Sequence, residues 1–331
     1  MIRMRKWIAL ALKGAVSVGL IWYLIDHTDL RIDPARFLDI APVYIGLALL
    51  VSAVQYAICV WRWQAVLRAI GQPLPTATVF RLFLIGTFFN QTLPSSVGGD
   101  AFRIYLAHKA GQTLSGAVNG VMLERVAIVA AIPLLAGVML PWLLPRLEAG
   151  IATWAMASVA LLAAASVVGI AVLTLLERLP AAVRHWRAVS VLTRLGGDAR
   201  RLFLVPQHAA RVLALSVAGH ANVSLCIYVL ATGLGVGIDL SDSLALFPLV
   251  LLATTLPVSI GGWGVREGAM IAAFALVGVA GEDTFVVSVL FGLLVIAISL
   301  PGGIVWLMSQ QRPSAAAVES EVQRAADTPL S

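Results

Sequence analysis

A chain of 331 residues that is 60% hydrophobic and only 12% charged does not read as a soluble domain, whose charged share would be about twice that. The formal charge of +6 sits on basic residues beside apolar runs, where it sets membrane orientation and meets anionic lipid, so nucleic acid is not an expected partner. Two cysteines, Cys59 and Cys226, both inside apolar runs, make neither a disulfide framework nor a metal site, and read as small core residues.

In chain order, Arg3, Arg5 and Lys6 precede an apolar run at 7–25. It is long for a signal-peptide core and no small-x-small cleavage site follows, so it reads as a retained first span. Lys13 within it snorkels to the cytoplasmic surface. The next span, 41–61, ends at Trp61, Arg62 and Trp63, which read as an interfacial anchor. An apolar stretch at 76–110 is followed by spans at 117–140 and 150–176, then by a basic loop. Spans at 209–235 and 284–309 flank a second long stretch at 243–280. Residues 312–331 read as a disordered cytoplasmic tail.

The loop after residue 176 carries Arg178, Arg184, Arg187, Arg194, Arg200, Arg201 and Arg211 against Glu177 and Asp198, and the positive-inside rule makes it cytoplasmic. Counting spans back from it and forward from a basic N-terminus leaves both ends of 76–110 in the cytoplasm. One crossing fails that requirement and a re-entrant helical hairpin meets it. The same count puts both ends of 243–280 outside, beside Asp239, Asp242, Glu282 and Asp283. The expected fold is an all-α polytopic membrane protein with about six full transmembrane helices plus two inverted re-entrant helical hairpins. One transmembrane domain, 1–311, then holds inverted repeats at 41–140 and 209–309, linked by helix 150–176 and the basic cytoplasmic loop 177–208. Both termini are expected in the cytoplasm.

The two long stretches share a motif. Residues 92–103 read TLPSSVGGDAFR and residues 255–266 read TLPVSIGGWGVR. Interrupted apolar segments in matching positions of two halves point to a transporter's binding site. Pro94 and Pro257 end the descending half-helices. Gly98, Gly99, Gly261 and Gly262 permit a tight turn and close backbone approach. Ser96 and Ser259 are candidate caps for the returning half-helices. Those helices aim free N–H groups and a partial positive charge at the protein's middle, with Arg103 and Arg266 within about one turn. Together they form two anion cradles suited to a phosphate headgroup. The copies differ, since Asp100 is replaced by Trp263 and Ile104 by Glu267, so the site is asymmetric. The competing interpretation is packing, with Asp100 and Arg103 neutralising each other at i, i+3 spacing.

Asn90, at the first tip, is placed to contact headgroup or to satisfy turn backbone. Arg125 is placed to join the cradle. Glu124 is placed to hold Arg103 or to carry a coupling proton, with a buried ion-pair network as the structural alternative; Glu267 is a further coupling or bracing candidate. His220 reads as an interhelical hydrogen-bond partner rather than a proton relay. No His general base or acidic metal cluster is spaced for catalysis, so the sequence calls for no cofactor, metal or catalytic residue.

At NQTLPSSVGGDAFR (90–103), ERV (124–126) and LPVSIGGWGVRE (256–267) the chain resembles the transmembrane region of lysylphosphatidylglycerol synthases and the wider flippase-like integral membrane family. The resemblance covers roughly residues 7–310. It implies a lipid-translocating fold with two re-entrant hairpins in a bacterial inner membrane, a homodimer, and a lipid path lined or braced by Asp100, Arg103, Glu124, Arg125, Arg266 and Glu267. Those synthases append a soluble aminoacyl-transferase domain. This sequence ends about 20 residues past its last span, so it is expected to handle lipid without making aminoacylated lipid. The expected cargo is a phospholipid or a polyprenyl-phosphate-type lipid. The alternatives are a non-transporting membrane partner of a separate lipid or glycan synthase, docked through the arginine-rich loop, and an intramembrane lipid-modifying enzyme.

Overall fold

The computed structural model describes residues 16, 19–20, 22–23, 34–93, 98–178, 187–255, 259 and 261–309. Most of the expected span 7–25, Pro94, Ser96, Pro257, Arg184 and the tail after 309 lie outside the described residues. Within them the chain forms ten α-helices and no strand: α1 (Pro42–Ala69), α2 (Thr76–Thr92), α3 (Gly98–Lys109), α4 (Leu114–Leu143), α5 (Ala149–Leu175), α6 (Arg187–Phe203), α7 (Pro206–Gly233), α8 (Leu240–Thr254), α9 (Val265–Ala275) and α10 (Gly281–Met308). Five of these, α1, α4, α5, α7 and α10, are long and apolar enough to cross a membrane, at the five expected positions after 7–25.

The helix starts follow local chemistry. Pro42 and Pro206 occupy first helical positions of α1 and α7, where a missing N–H costs nothing. The Thr113 hydroxyl accepts from Gly116 N–H at 3.1 Å and caps α4, satisfying an amide that the helix leaves unpaired.

α2, α3, α8 and α9 are shorter. At 1.5 Å per residue α2 and α8 are about 26 and 23 Å long and α3 and α9 about 18 and 17 Å, below the roughly 30 Å of a hydrocarbon core. α2 and α3 fold back on each other as an antiparallel hairpin, with Phe89 stacked on Phe102 at 3.7 Å between ring centroids. A Cβ on Gly99 would stand 2.0 Å from the Gly86 carbonyl oxygen, so the hairpin closes only with glycine there. α8 and α9 pack on each other around the second motif.

α1 and α7 pack along their lengths and run antiparallel: Asn222 donates to Val51 O at 2.9 Å and Gln55 Oε1 at 3.0 Å, and Gly233 lies against Tyr44. α2 packs on α10 as α8 packs on α4, and the α2–α3 and α3–α4 contacts have counterparts in α8–α9 and α9–α10. The apolar core divides the same way. One cluster gathers Trp63, Leu82, Ile85, Phe89 and Phe102 around the first hairpin. The other gathers Phe247, Met270, Phe274, Val287 and Phe291 around the second.

Two polar ends close the bundle. At one, Arg36 donates to Asp283 at 2.6 Å, and Arg146 pairs with Asp242 and, at 3.3 Å, with Asp239. At the other, Gln112 donates to Gln72 O at 2.5 Å, Arg200 meets Glu177 at 2.9 Å, and Asn119 donates to Asp198 at 2.7 Å. The basic segment expected as a loop at 177–208 is for the most part the helix α6. Leu195, Ala199 and Leu202 recur on its inner side, while Arg194 and Arg201 are exposed; this 3.6-residue period overrides the local cost of Gly196 and Gly197.

Candidate functional site: two buried arginines at the repeated motif

Arg103, in the second turn of α3, is buried and makes three kinds of contact. One guanidinium nitrogen donates to Glu124 Oε2 on α4 and another to Asp100 Oδ1 at 3.3 Å. Its guanidinium carbon lies 4.0 Å from the centroid of the Trp63 ring on α1, a cation–π geometry. Glu124 is 1% exposed and its other oxygen accepts from Arg62 Nε at 3.2 Å. Arg62 also donates to Cys59 Sγ at 3.5 Å. Asp100 accepts on its second oxygen from Arg125 Nε at 2.9 Å. The chain of contacts runs Arg62, Glu124, Arg103, Asp100, Arg125. Three guanidinium groups against two carboxylates leave one positive charge. The Arg125 side chain, 46% exposed, is the member that meets the surroundings.

The second copy is built differently. Gly261, Gly262 and Gly264 all take left-handed φ, at 58°, 80° and 85°, a region closed to most side chains. The turn therefore runs on to Gly264 and α9 starts at Val265, four residues later than α3 starts relative to the motif. Arg266 is buried and pairs with its neighbour Glu267 at 2.5 Å. It also donates to Ser288 Oγ at 3.2 Å, and its guanidinium carbon lies 4.7 Å from the Trp263 ring. Glu267 accepts from Gly264 N–H at 2.5 Å and from the Ser288 hydroxyl at 3.1 Å. One cation against one anion leaves no net charge. The two tips adjoin, since a Cβ on Gly261 would stand 3.5 Å from Gln91 Oε1.

A family model described as the lysylphosphatidylglycerol synthase TM region matches residues 10–302, a span that includes both motif copies. This chain belongs to that family. A UPF0104 membrane protein of Methanocaldococcus jannaschii is 33% identical over 87 residues, 26% of this chain and 26% of that relative's length. Family membership and five membrane-length apolar helices together make this a multi-pass membrane protein.

Within this synthase-type transmembrane domain the motif residues divide by role. Asp100, Arg103, Glu124 and Arg125 come together in the first cluster; Gly261, Gly262, Arg266 and Glu267 form the second. The Asn90 side-chain oxygen accepts from Gly99 N–H at 3.0 Å, so it caps α3 and occupies one of the amides expected to face an anion. Gly98 opens α3. Ser259 is buried but six residues before Val265, so it does not cap α9, because the glycine turn intervenes. Ser96 lies outside the described residues. His220 makes the interhelical contact expected, at 2.9 Å to Ile128 O.

Arg62 and Trp63 were legible only as a membrane-interface pair with Trp61, and that expectation is corrected. Trp61 is exposed, while Arg62 and Trp63 are buried, and both touch the first cluster. The usable signal was the spacing of Cys59, Val60, Trp63, Val66 and Leu67, which makes one buried helix face with Arg62 on its edge.

The sequence also gave no sign of a polar cavity of about 370 Å³ between α6, the end of α1 and the start of α4, lined by Gln72, Thr113, Ser115, Arg194, Asp198 and Arg201. Partial burial raises the Asp198 carboxyl above the usual range, against the opposing pull of Asn119 and Arg201. Among the described residues no three His, Cys, Asp or Glu side chains converge as metal ligands.

Proposed function

We propose that this chain is a lipid transporter that holds the phosphate of an anionic lipid headgroup between two re-entrant hairpins, α2–α3 and α8–α9. The observation that carries this reading is the first cluster: five charged side chains inside an apolar bundle, summing to +1, one of them half exposed. Charged residues at membrane depth are expensive and mark substrate paths. Here Glu124 and Asp100 leave the arginines partly, not wholly, neutralised, which suits a monoanionic guest. The antiparallel crossing of α1 with α7, and the exchange of packing partners between the halves, support an inverted repeat, the architecture of alternating-access transporters. On this reading the end with Arg36 and Arg146 is external and the α6 end cytoplasmic. Phosphatidylglycerol and a polyprenyl phosphate are the anionic lipids to try, beside lysylphosphatidylglycerol, the lipid in the family's printed description, which carries the same phosphodiester under a net positive headgroup.

The test is movement of fluorescent forms of these lipids in proteoliposomes, read by quenching of the outer leaflet. The wild type is expected to move at least one of them, and Arg103→Lys to slow it about tenfold, because an ammonium cannot bridge Asp100 and Glu124 in the guanidinium's planar geometry. A folded wild type that moves none of the three overturns the reading.

A second reading, a non-transporting partner of a soluble or membrane synthase, draws on α6, whose Arg194 and Arg201 stand exposed beside the polar cavity. In that case substitutions on α6 change assembly with the synthase and Arg103→Lys leaves lipid distribution unchanged.

A further inference from the structure

Between α4 and α5 lies a second cavity, a groove of about 320 Å³ whose walls are apolar: Met122, Val126 and Val129 on one side, Ala165, Gly169 and Leu173 on the other. Arg125 is the single charged residue lining it. α5 buries only Val159 and Thr174, so this side of the bundle faces the bilayer. Arg125 stands eleven positions past Leu114, about 16 Å along an α4 of 30 residues and about 45 Å, so a roughly 30 Å hydrocarbon layer centred on that helix contains it, in the half toward the α6 end. The surplus positive charge of the first cluster therefore emerges within the apolar layer, beside an apolar slot open to lipid.

We infer that the α4–α5 groove seats one acyl chain of an anionic phospholipid whose phosphate lies against Arg125. The inference rests on the lipid-handling reading above and adds the route: the headgroup passes along the protein at Arg125 while its chain stays in the groove. Charge complementarity selects the occupant. A neutral apolar helix would fill the slot but leave the surplus charge of the cluster unanswered in a low-dielectric setting, where an unmatched cation is costly. A phosphodiester carries one negative charge and an attached chain, and satisfies both parts at once.

The experiment uses the full chain in nanodiscs of phosphatidylcholine doped with phosphatidylglycerol that carries a photoactivatable group on one acyl chain, with a phosphatidylcholine probe alongside. Labelled peptides are mapped by mass spectrometry. In the wild type the phosphatidylglycerol probe is expected to label 122–130 and 165–173 in preference to the phosphatidylcholine probe. Arg125→Gln is expected to lower that preference about tenfold, the loss of one charge-assisted contact. Gly169→Leu adds bulk into open space, since nothing stands within 4 Å of a Cβ there, and is expected to fold and to reduce labelling by both probes. Labelling spread evenly over lipid-facing helices, equal for both probes, overturns the inference, as does a folded Gly169→Leu that labels like wild type. Disulfide-linked dimers of Ser166→Cys in the same discs would make a second copy the occupant, and also overturn it. Lipid movement measured on the same preparations separates the two readings. Labelling without movement keeps the groove and removes transport, whereas movement without labelling keeps transport and removes the groove.

Discussion

Glu124→Gln tests the buried network most directly. The Glu124 carboxylate is nearly inaccessible and divides its two oxygens between Arg62, at 3.2 Å, and Arg103. Glutamine keeps the shape, but it offers one acceptor and sets an amide N–H₂ against the donors of the second arginine. The cluster's sum rises from one positive charge to two. Breaking a buried ion pair by removing one partner costs about 3–5 kcal/mol. For a chain of this size each kcal/mol moves the unfolding midpoint by roughly 2 °C, so a loss of about 6–10 °C is expected. The assay is thermal unfolding in detergent, followed by size exclusion and by a thiol-reactive dye that reports exposure of Cys59 and Cys226. Arg62→Met in the Glu124→Gln background is expected to cost less than the two single changes summed, with a coupling of about 0.5–3 kcal/mol. A Glu124→Gln protein that melts within a degree or two of wild type would refute the bridging role. So would a strictly additive double variant.

Gly99→Ala should open the α2–α3 hairpin, because the added methyl meets the Gly86 carbonyl oxygen; loss of monodisperse protein is expected, and normal yield with an unchanged melting midpoint would contradict the close approach. Arg266→Ala should destabilise the protein rather than leave a silent gap, since Glu267 keeps Ser288 and Gly264 as partners but loses its only cation among the described residues; Ala in place of both Arg266 and Glu267 should recover part of the loss in a thermal melt. Asp198 has a raised pKa in the folded state, so the folded form holds its proton more tightly. Its contribution is present below the ordinary aspartate value and is lost as pH rises through the raised one. Asp198→Asn should therefore flatten the fall in melting midpoint across that acidic range, and an unchanged slope counts against partial burial as the cause.

Much of the architecture was legible because apolar runs of membrane length leave few alternatives. The spans after 7–25 fall where hydropathy put them, and the repeated TLP-x-S-x-GG segment located both short helix pairs. Glu124 and Arg103 stood out because ionised groups are rare inside apolar stretches, yet their mutual contact was one option among several, since sequence gives spacing within a helix and not the facing between helices. Arg62 hid beside Trp61, because a Trp–Arg–Trp run at a helix end satisfies the interfacial pattern whichever way the middle residue points. α6 hid behind its arginines and two adjacent glycines, although the apolar period was present. The different start of α9 was not visible at all: Gly261 and Gly262 repeat Gly98 and Gly99 letter for letter, and only the extra Gly264 frees the chain to stay unwound for another turn.

The single positive charge left over in the first cluster has an electrical consequence. Moving one elementary charge across a membrane held at 100 mV takes about 2.3 kcal/mol, so a bare phosphate headgroup crossing the field would feel the voltage in full. A headgroup of charge minus one seated on Arg62, Arg103 and Arg125, with Asp100 and Glu124 in attendance, brings the assembly to zero. Only Asp100 and Arg103 of that cluster ride on the α2–α3 hairpin, and they cancel, so in the proposed transport a hairpin that shifts with its guest carries the guest's full negative charge through the field. The proposed turnover is then voltage-sensitive, moving one negative charge per headgroup, while the fixed Arg62, Glu124 and Arg125, summing to one positive charge, ease its stop inside the apolar layer.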